Sequence, residues 1–187
     1  LRIIHLESRY KSFGGRRVRR NEFPWIATLY FAHDDKRDAD ATFLLIELQE
    51  LKRECSGVLI SQRHILTAAH CVTKIDEDHR RKQCSLPITN RRFKQYSQSR
   101  IWTIFIGSKC ADPEKCHTGR RVAKITVNPY YDSCDNLGDL AIVELSRNVP
   151  VFAATPICMP TAGTKLQKVL NVAGAGLDRE FHYKHSA

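Results

Sequence analysis

The chain has 187 residues, 42% of them apolar, and a formal net charge of +10. That length holds one ordinary domain with a sizeable core, and the apolar content argues against a disordered chain. No apolar run approaches the ~18–20 residues of a helical membrane span.

Residues 1–22 read as a polar, basic leader. The first ten contain Arg2, His5, Glu7 and Arg9, which is no signal-peptide core. The first residue is leucine, so a targeting segment upstream stays open. Residues 23–31 are aromatic and β-prone and predict a strand. Residues 34–40 form a charged loop. Residues 41–54 are ambiguous: Phe43-Leu44-Leu45-Ile46 suits a strand, whereas Glu47 to Lys52 has helical spacing. The whole of 34–54 is read as an insertion. Val58-Leu59-Ile60 and His64-Ile65-Leu66-Thr67 predict buried strands. Residues 74–100 are polar and predict a long loop with local turns. Residues 101–107, 122–127 and 140–145 predict strands, the second of them half-exposed by its alternation. Residues 149–160 form a proline-bounded connector, and 168–174 start one more strand. Short strands separated by loops favour an all-β barrel.

The positive charge is scattered over Arg16-Arg17, Arg19-Arg20, Arg80-Arg81-Lys82, Arg91-Arg92 and Arg120-Arg121. A basic surface favours anionic partners, but solvated loops are the plainer reading. No nucleic-acid motif accompanies the clusters, and Trp25 and Trp102 fall in predicted core strands rather than beside the arginines. Seven cysteines in a chain of this size point to an oxidising compartment. Their odd number leaves at least one without a partner in the chain. A zinc site from Cys110, Cys116, His117, His79 and Cys84 lacks recognised ligand spacing and is set aside. No metal or cofactor is expected.

Two segments carry chemistry. Leu66-Thr67-Ala68-Ala69-His70-Cys71 ends an apolar segment on an imidazole, with Cys55-Ser56-Gly57-Val58-Leu59-Ile60 upstream. A neutral imidazole oriented by a carboxylate accepts the proton of a hydroxyl nucleophile. The plain alternative is a core histidine beside a structural disulfide. Asp139 precedes Leu140-Ala141-Ile142-Val143-Glu144-Leu145 and so stands at the mouth of a buried strand. An acid there is costly unless paired, and a histidine Nδ1–H suits it; the alternative is a turn or cap residue.

Together these strings resemble the trypsin/chymotrypsin serine proteases over residues 12–176. Ser12-Phe13-Gly14-Gly15 looks like the family's activation-site start, and Asn21-Glu22-Phe23-Pro24-Trp25 like its first-strand motif. The two segments above match its histidine region. Asn128-Pro129-Tyr130-Tyr131-Asp132, followed by Gly138-Asp139-Leu140-Ala141, matches its aspartate region. Pro156-Ile157-Cys158-Met159-Pro160 matches the connector to the second barrel. The extra cysteines and long loops are most similar to the nematode trypsin-like branch.

The resemblance implies an all-β, trypsin-like double barrel with the first barrel present and the second only begun. Residues 1–11 are then a leader or pro-segment remnant. Residues 12–160 form the first barrel, with insertions at 34–54 and 74–100, and 161–187 start the second. It implies a secreted serine endopeptidase acting on protein or peptide substrates, with His70 as general base and Asp139 orienting it. A Cys55–Cys71 bridge would close a loop of about 15 residues, for which chain entropy gives roughly 3 kcal/mol. Cys110 with Cys116, and Cys84 with Cys134, are the further pairings considered, leaving Cys158 over.

Three departures stand out. No Gly-Asp-Ser-Gly-Gly string follows Gly176, so the nucleophile serine, the oxyanion hole built around it and the specificity pocket are not encoded in these residues. Ser12-Phe13 replaces the usual Ile-Val, and Gly174-Ala175-Gly176 replaces Gly-Trp-Gly. The expectation is a sequence truncated before its nucleophile and inactive as given, with His70 and Asp139 facing solvent on an apolar face. The alternative is a secreted, non-catalytic homologue that binds anionic or protein partners.

Overall fold

The computed structural model describes residues 2–5, 16–19, 21–31, 53–93, 96–97, 101–107 and 119–174. The organising unit is a six-stranded antiparallel sheet. It is built from β3 (Ile26–Phe31), β4 (Arg53–Leu59), β5 (His64–Thr67), β8 (Ile101–Ile106), β9 (Val122–Val127) and β10 (Ala141–Leu145). Its strand order is β8-β3-β4-β5-β10-β9. A bridge between Ile104 and Arg120 brings β8 to the start of β9 and curls the sheet back on itself. This is the expected all-β, trypsin-like architecture.

Successive side chains of a strand point to opposite faces, so burial alternates along it. In β10, Ala141, Val143 and Leu145 are buried, while Ile142 points out. Leu29, Leu59, Ile65, Ile104, Val143 and Leu145 are fully buried and pack as one cluster with Val72 and Val149. Full burial of such a side chain contributes about 1.5–3 kcal/mol. Gly57 permits the tightest approach in this core. A Cβ there would lie 2.7 Å from the Ile65 Cγ2 methyl and 3.1 Å from Leu29 Cδ1.

The structure revises several boundaries. Residues 23–25 form a turn that precedes β3, closed by the Ile26 N–H donating to the Phe23 carbonyl. Trp25 packs on the core from that turn, while the Trp102 side chain lies outside the described residues. Of the insertion read at 34–54, Arg53 and Glu54 belong to β4, because the ladder runs from Ile26↔Val58 to Phe31↔Arg53. The rest of it lies outside the described residues.

The loop read at 74–100 contains an eight-residue helix, α2 (Glu77–Cys84), and a 3-10 turn at Ile88–Asn90. Two short strands, β6 (Thr73–Lys74) and β7 (Tyr96–Ser97), pair around them. No residue of α2 is buried, so no apolar period marked it in the sequence. It forms because Asp76 accepts from the N–H groups of Asp78 and His79, and Glu77–Arg80 and Asp78–Arg81 pair one turn apart.

The leader also contributes structure. β1 (Arg2–His5) pairs antiparallel with β11 (Asn171–Gly174) and with β2 (Arg16–Arg17) in a small second sheet.

Candidate active site

β5 ends at Thr67, whose Oγ1 donates to the Ser56 carbonyl of β4. The chain then turns through Ala68 into a single helical turn, α1 (Ala69–Val72). Ala69, Cys71 and Val72 are buried and only His70 points out. Small residues at 68 and 69 let this turn lie against the core. Thr73 locks its far end by donating to the Ala69 carbonyl at 2.9 Å. Cys71 is bonded to Cys55 of β4, with the Cα atoms 6.1 Å apart. The imidazole is therefore mounted on backbone that is stapled covalently to the sheet.

Asp139 arrives from the neighbouring strand, at the mouth of β10. The loop before it is closed at its base by Asn128, whose Nδ2 donates to the Gly138 carbonyl at 2.9 Å. Gly138 has φ +63°, and a Cβ there would meet Asn128 Nδ2 at 2.8 Å and the Tyr130 carbonyl at 3.0 Å. Only glycine fits that position without strain. The loop thus delivers the carboxylate to α1 in a fixed orientation.

The two side chains meet. The His70 backbone N–H donates to Asp139 Oδ1 at 2.9 Å, and His70 Nδ1 lies 2.7 Å from Asp139 Oδ2. The imidazole is 60% exposed and the carboxylate 21%. Partial burial pulls the Asp139 carboxyl upward. The hydrogen bonds from the His70 ring and its N–H, the charge of His70 and the Ala69 N–H outweigh that pull, so its pKa lies below the ordinary carboxylate value. Since an ionised Asp139 only accepts, Nδ1 carries a hydrogen, and in the neutral ring that leaves the lone pair on Nε2. Buried Tyr131 lies close by, and its phenol is pushed up by burial and then by the Asp139 charge.

The structure brings His70, Asp139, Cys55 and Cys71, the residues singled out in the sequence, within reach of one another. The sulfurs of Cys55 and Cys71 lie near the His70 ring, but they are joined to each other and offer no thiolate to a metal. Cys84 and Cys134 are also bridged, and Cys158 is free and exposed. Cys110 and Cys116 lie outside the described residues. Tyr130, Leu137 and Leu140, close to Asp139 in the chain, are all exposed.

One contact at the tip of the Asp139 loop escaped the sequence reading. Arg91, counted there among scattered surface charges, has a side chain only 14% exposed. Its Nη1 donates to Asp135 Oδ2 at 2.5 Å and to Asp132 Oδ2 at 3.0 Å, and those bonds raise its pKa further. The only signal for it was the nearby pair of cysteines.

A curled antiparallel sheet with an aspartate-oriented histidine at its rim defines the first half of a chymotrypsin-type serine protease fold. The chain belongs to the trypsin family: the family model described as Trypsin matches residues 12–186. It is 26% identical over 157 residues to CLIP domain-containing serine protease B9 of Anopheles gambiae, covering 83% of this chain and 35% of that protein. It is 29% identical over 185 residues to CLIP domain-containing serine protease B10 of the same species, covering 92% and 44%. The chain therefore spans less than half the length of these relatives. Among solved structures, one titled as that of GrC superposes with a TM-score of 0.53 at 19% identity, covering 82% of this chain and 51% of that one. That likeness is one of fold.

Proposed function

We propose that this chain supplies the proton-relay half of a secreted, trypsin-like serine endopeptidase acting on protein or peptide substrates. His70 Nε2 takes the proton of a serine hydroxyl as that oxygen attacks the scissile carbonyl. Asp139 holds the ring in the productive tautomer and stabilises the imidazolium that forms. The same imidazolium then gives its proton to the leaving amine. The observation that carries this reading is the double contact of Asp139 with the ring and the backbone of His70. Two disulfides support an oxidising, extracellular setting. Among the described residues no helix is long and apolar enough to cross a membrane.

The serine and the oxyanion donors are not among these 187 residues. The reading therefore has residues 1–187 inactive alone and competent once a nucleophile-bearing half is joined. A chimera of residues 1–174 with the second half of a trypsin-family protease tests it through labelling by a fluorophosphonate probe. Labelling of the chimera, lost in His70→Ala and not seen with residues 1–187, is expected. A folded chimera that resists the probe, alongside a parent protease that takes it, overturns the reading.

A further inference from the structure

We propose that Arg91 is a positioning residue for the His70–Asp139 pair. Together with the Cys84–Cys134 bridge, it clasps the excursion that leaves α1 onto the loop that delivers Asp139. The inference rests on the relay reading above and adds a residue to it.

The excursion over residues 75–93 begins just after the turn that carries His70, and it is braced internally. Asp76 caps α2, the Gln83 side chain accepts from the Arg92 N–H, and His79 Nε2 lies 3.0 Å from the Arg92 carbonyl. His79 also meets Phe93 edge to face. These contacts fold the far arm of the excursion back on α2; Arg91 Nε donates to the Leu86 carbonyl within the unit at 3.1 Å, while its Nη1 reaches out of it.

It reaches the tip of the Asp139 loop. Asp132 and Asp135 both accept from Arg91 Nη1, and Cys134 between them is bonded to Cys84 at the end of α2. Asp132 uses its other oxygen, Oδ1, to accept from the Cys134 N–H. From the tip, constraint passes inward. Asp132 is bridged to Leu137, with its N–H donating to the Leu137 carbonyl at 2.9 Å, and Leu137 leads through Gly138 to Asp139.

The result is a closed mechanical ring. It runs from His70 through α1 and the excursion to the clasp, then through residues 132–138 to Asp139, and back to His70 by two hydrogen bonds. Surface ion pairs are ordinarily worth little. Here the Arg91 and Asp132 side chains are largely shielded, and one guanidinium nitrogen, Nη1, is shared between Asp132 and the half-exposed Asp135. The competing arrangement is positioning by the loop base alone, through Asn128.

The His70 backbone amide reports the outcome directly, because its acceptor is Asp139 Oδ1. The test is hydrogen exchange and histidine-selective NMR on the oxidised 187-residue chain, with the His70 ring signals assigned by their loss in His70→Gln. In Arg91→Ala the His70 amide should exchange about tenfold faster, and the slowly exchanging Nδ1–H signal should broaden, while the core amides of Leu29, Ile65 and Val143 change less than about twofold. Arg91→Lys should recover part of the effect.

An unchanged His70 amide and Nδ1–H in a folded Arg91→Ala chain overturns the clasp and leaves the relay standing. A His70 signal that is equally indifferent to Asp139→Asn overturns both. If Arg91→Ala does not fold, Asp135→Asn removes one of the two acceptors at a half-exposed site. It should then show the same change at smaller size, and its absence overturns the proposal.

Discussion

Asp139 holds His70 at two points, one carboxylate oxygen on the backbone N–H and the other on the ring nitrogen. A single contact would fix a distance. Two fix the plane of the imidazole relative to α1, and so the direction in which Nε2 offers its lone pair.

The acid limb of stability should depend on this contact. Asp139 has a folded pKa below its ordinary value, so its contribution is full above about pH 4, the unfolded carboxylate value. It is lost as pH falls through the lower, folded value. Urea unfolding of the wild type and Asp139→Asn from pH 7 downward should show a gap that narrows below about pH 4. A gap that stays constant to pH 2 would mean that the carboxylate's charge is not what stabilises the pair.

Removing the staple behind His70 should be costly. The Cys55–Cys71 bridge closes a span of 16 residues. The double variant Cys55→Ser with Cys71→Ser should lose about 3 kcal/mol by the chain-entropy model. Urea unfolding extrapolated to water measures it, with a steeper slope expected because the unfolded chain without the crosslink is more expanded.

Two core substitutions separate overpacking from cavity formation. Gly57→Ala places a methyl against Ile65 and should cost about 1–3 kcal/mol. Leu59→Ala empties a fully buried site and should cost about 2–5 kcal/mol. A thermal or urea series on both variants decides. Tolerance of Gly57→Ala would mean that β4 and β5 lie further apart than described.

In the chimera, the relay residues should differ in what they remove. Asp139→Asn leaves the imidazole in place with the wrong tautomer favoured and should lower kcat about 10⁴-fold. His70→Ala should cost about 10⁶-fold. An unchanged kcat in Asp139→Asn, or a change confined to KM, would place Asp139 outside the proton transfer.

The strands and the pair were legible because local strings carry them. Val122 to Val127 alternates as a half-exposed strand does, Leu140 to Leu145 is an apolar run, and Thr67-Ala68-Ala69-His70-Cys71 has small residues that let the backbone pack tightly before the imidazole. α2 was illegible for the opposite reason. It is polar all round, so nothing periodic separates it from a loop, and its cap and i,i+3 pairs are weak signals taken singly. β1 was missed because a four-residue strand inside a basic leader is defined by its partner β11, more than a hundred residues away.

By itself the sequence pointed to the barrel, to the histidine and aspartate that meet at its rim, and to the cysteine beside the histidine. Each of these was read from a short string that resembles the corresponding string of the trypsin/chymotrypsin family, because residues adjacent in the chain are held together by local backbone geometry. Only the tertiary structure decided what the remaining charge is for. An arginine in a polar stretch has no partner until the chain folds, and distance in space, not along the sequence, brought Arg91 between Asp132 and Asp135.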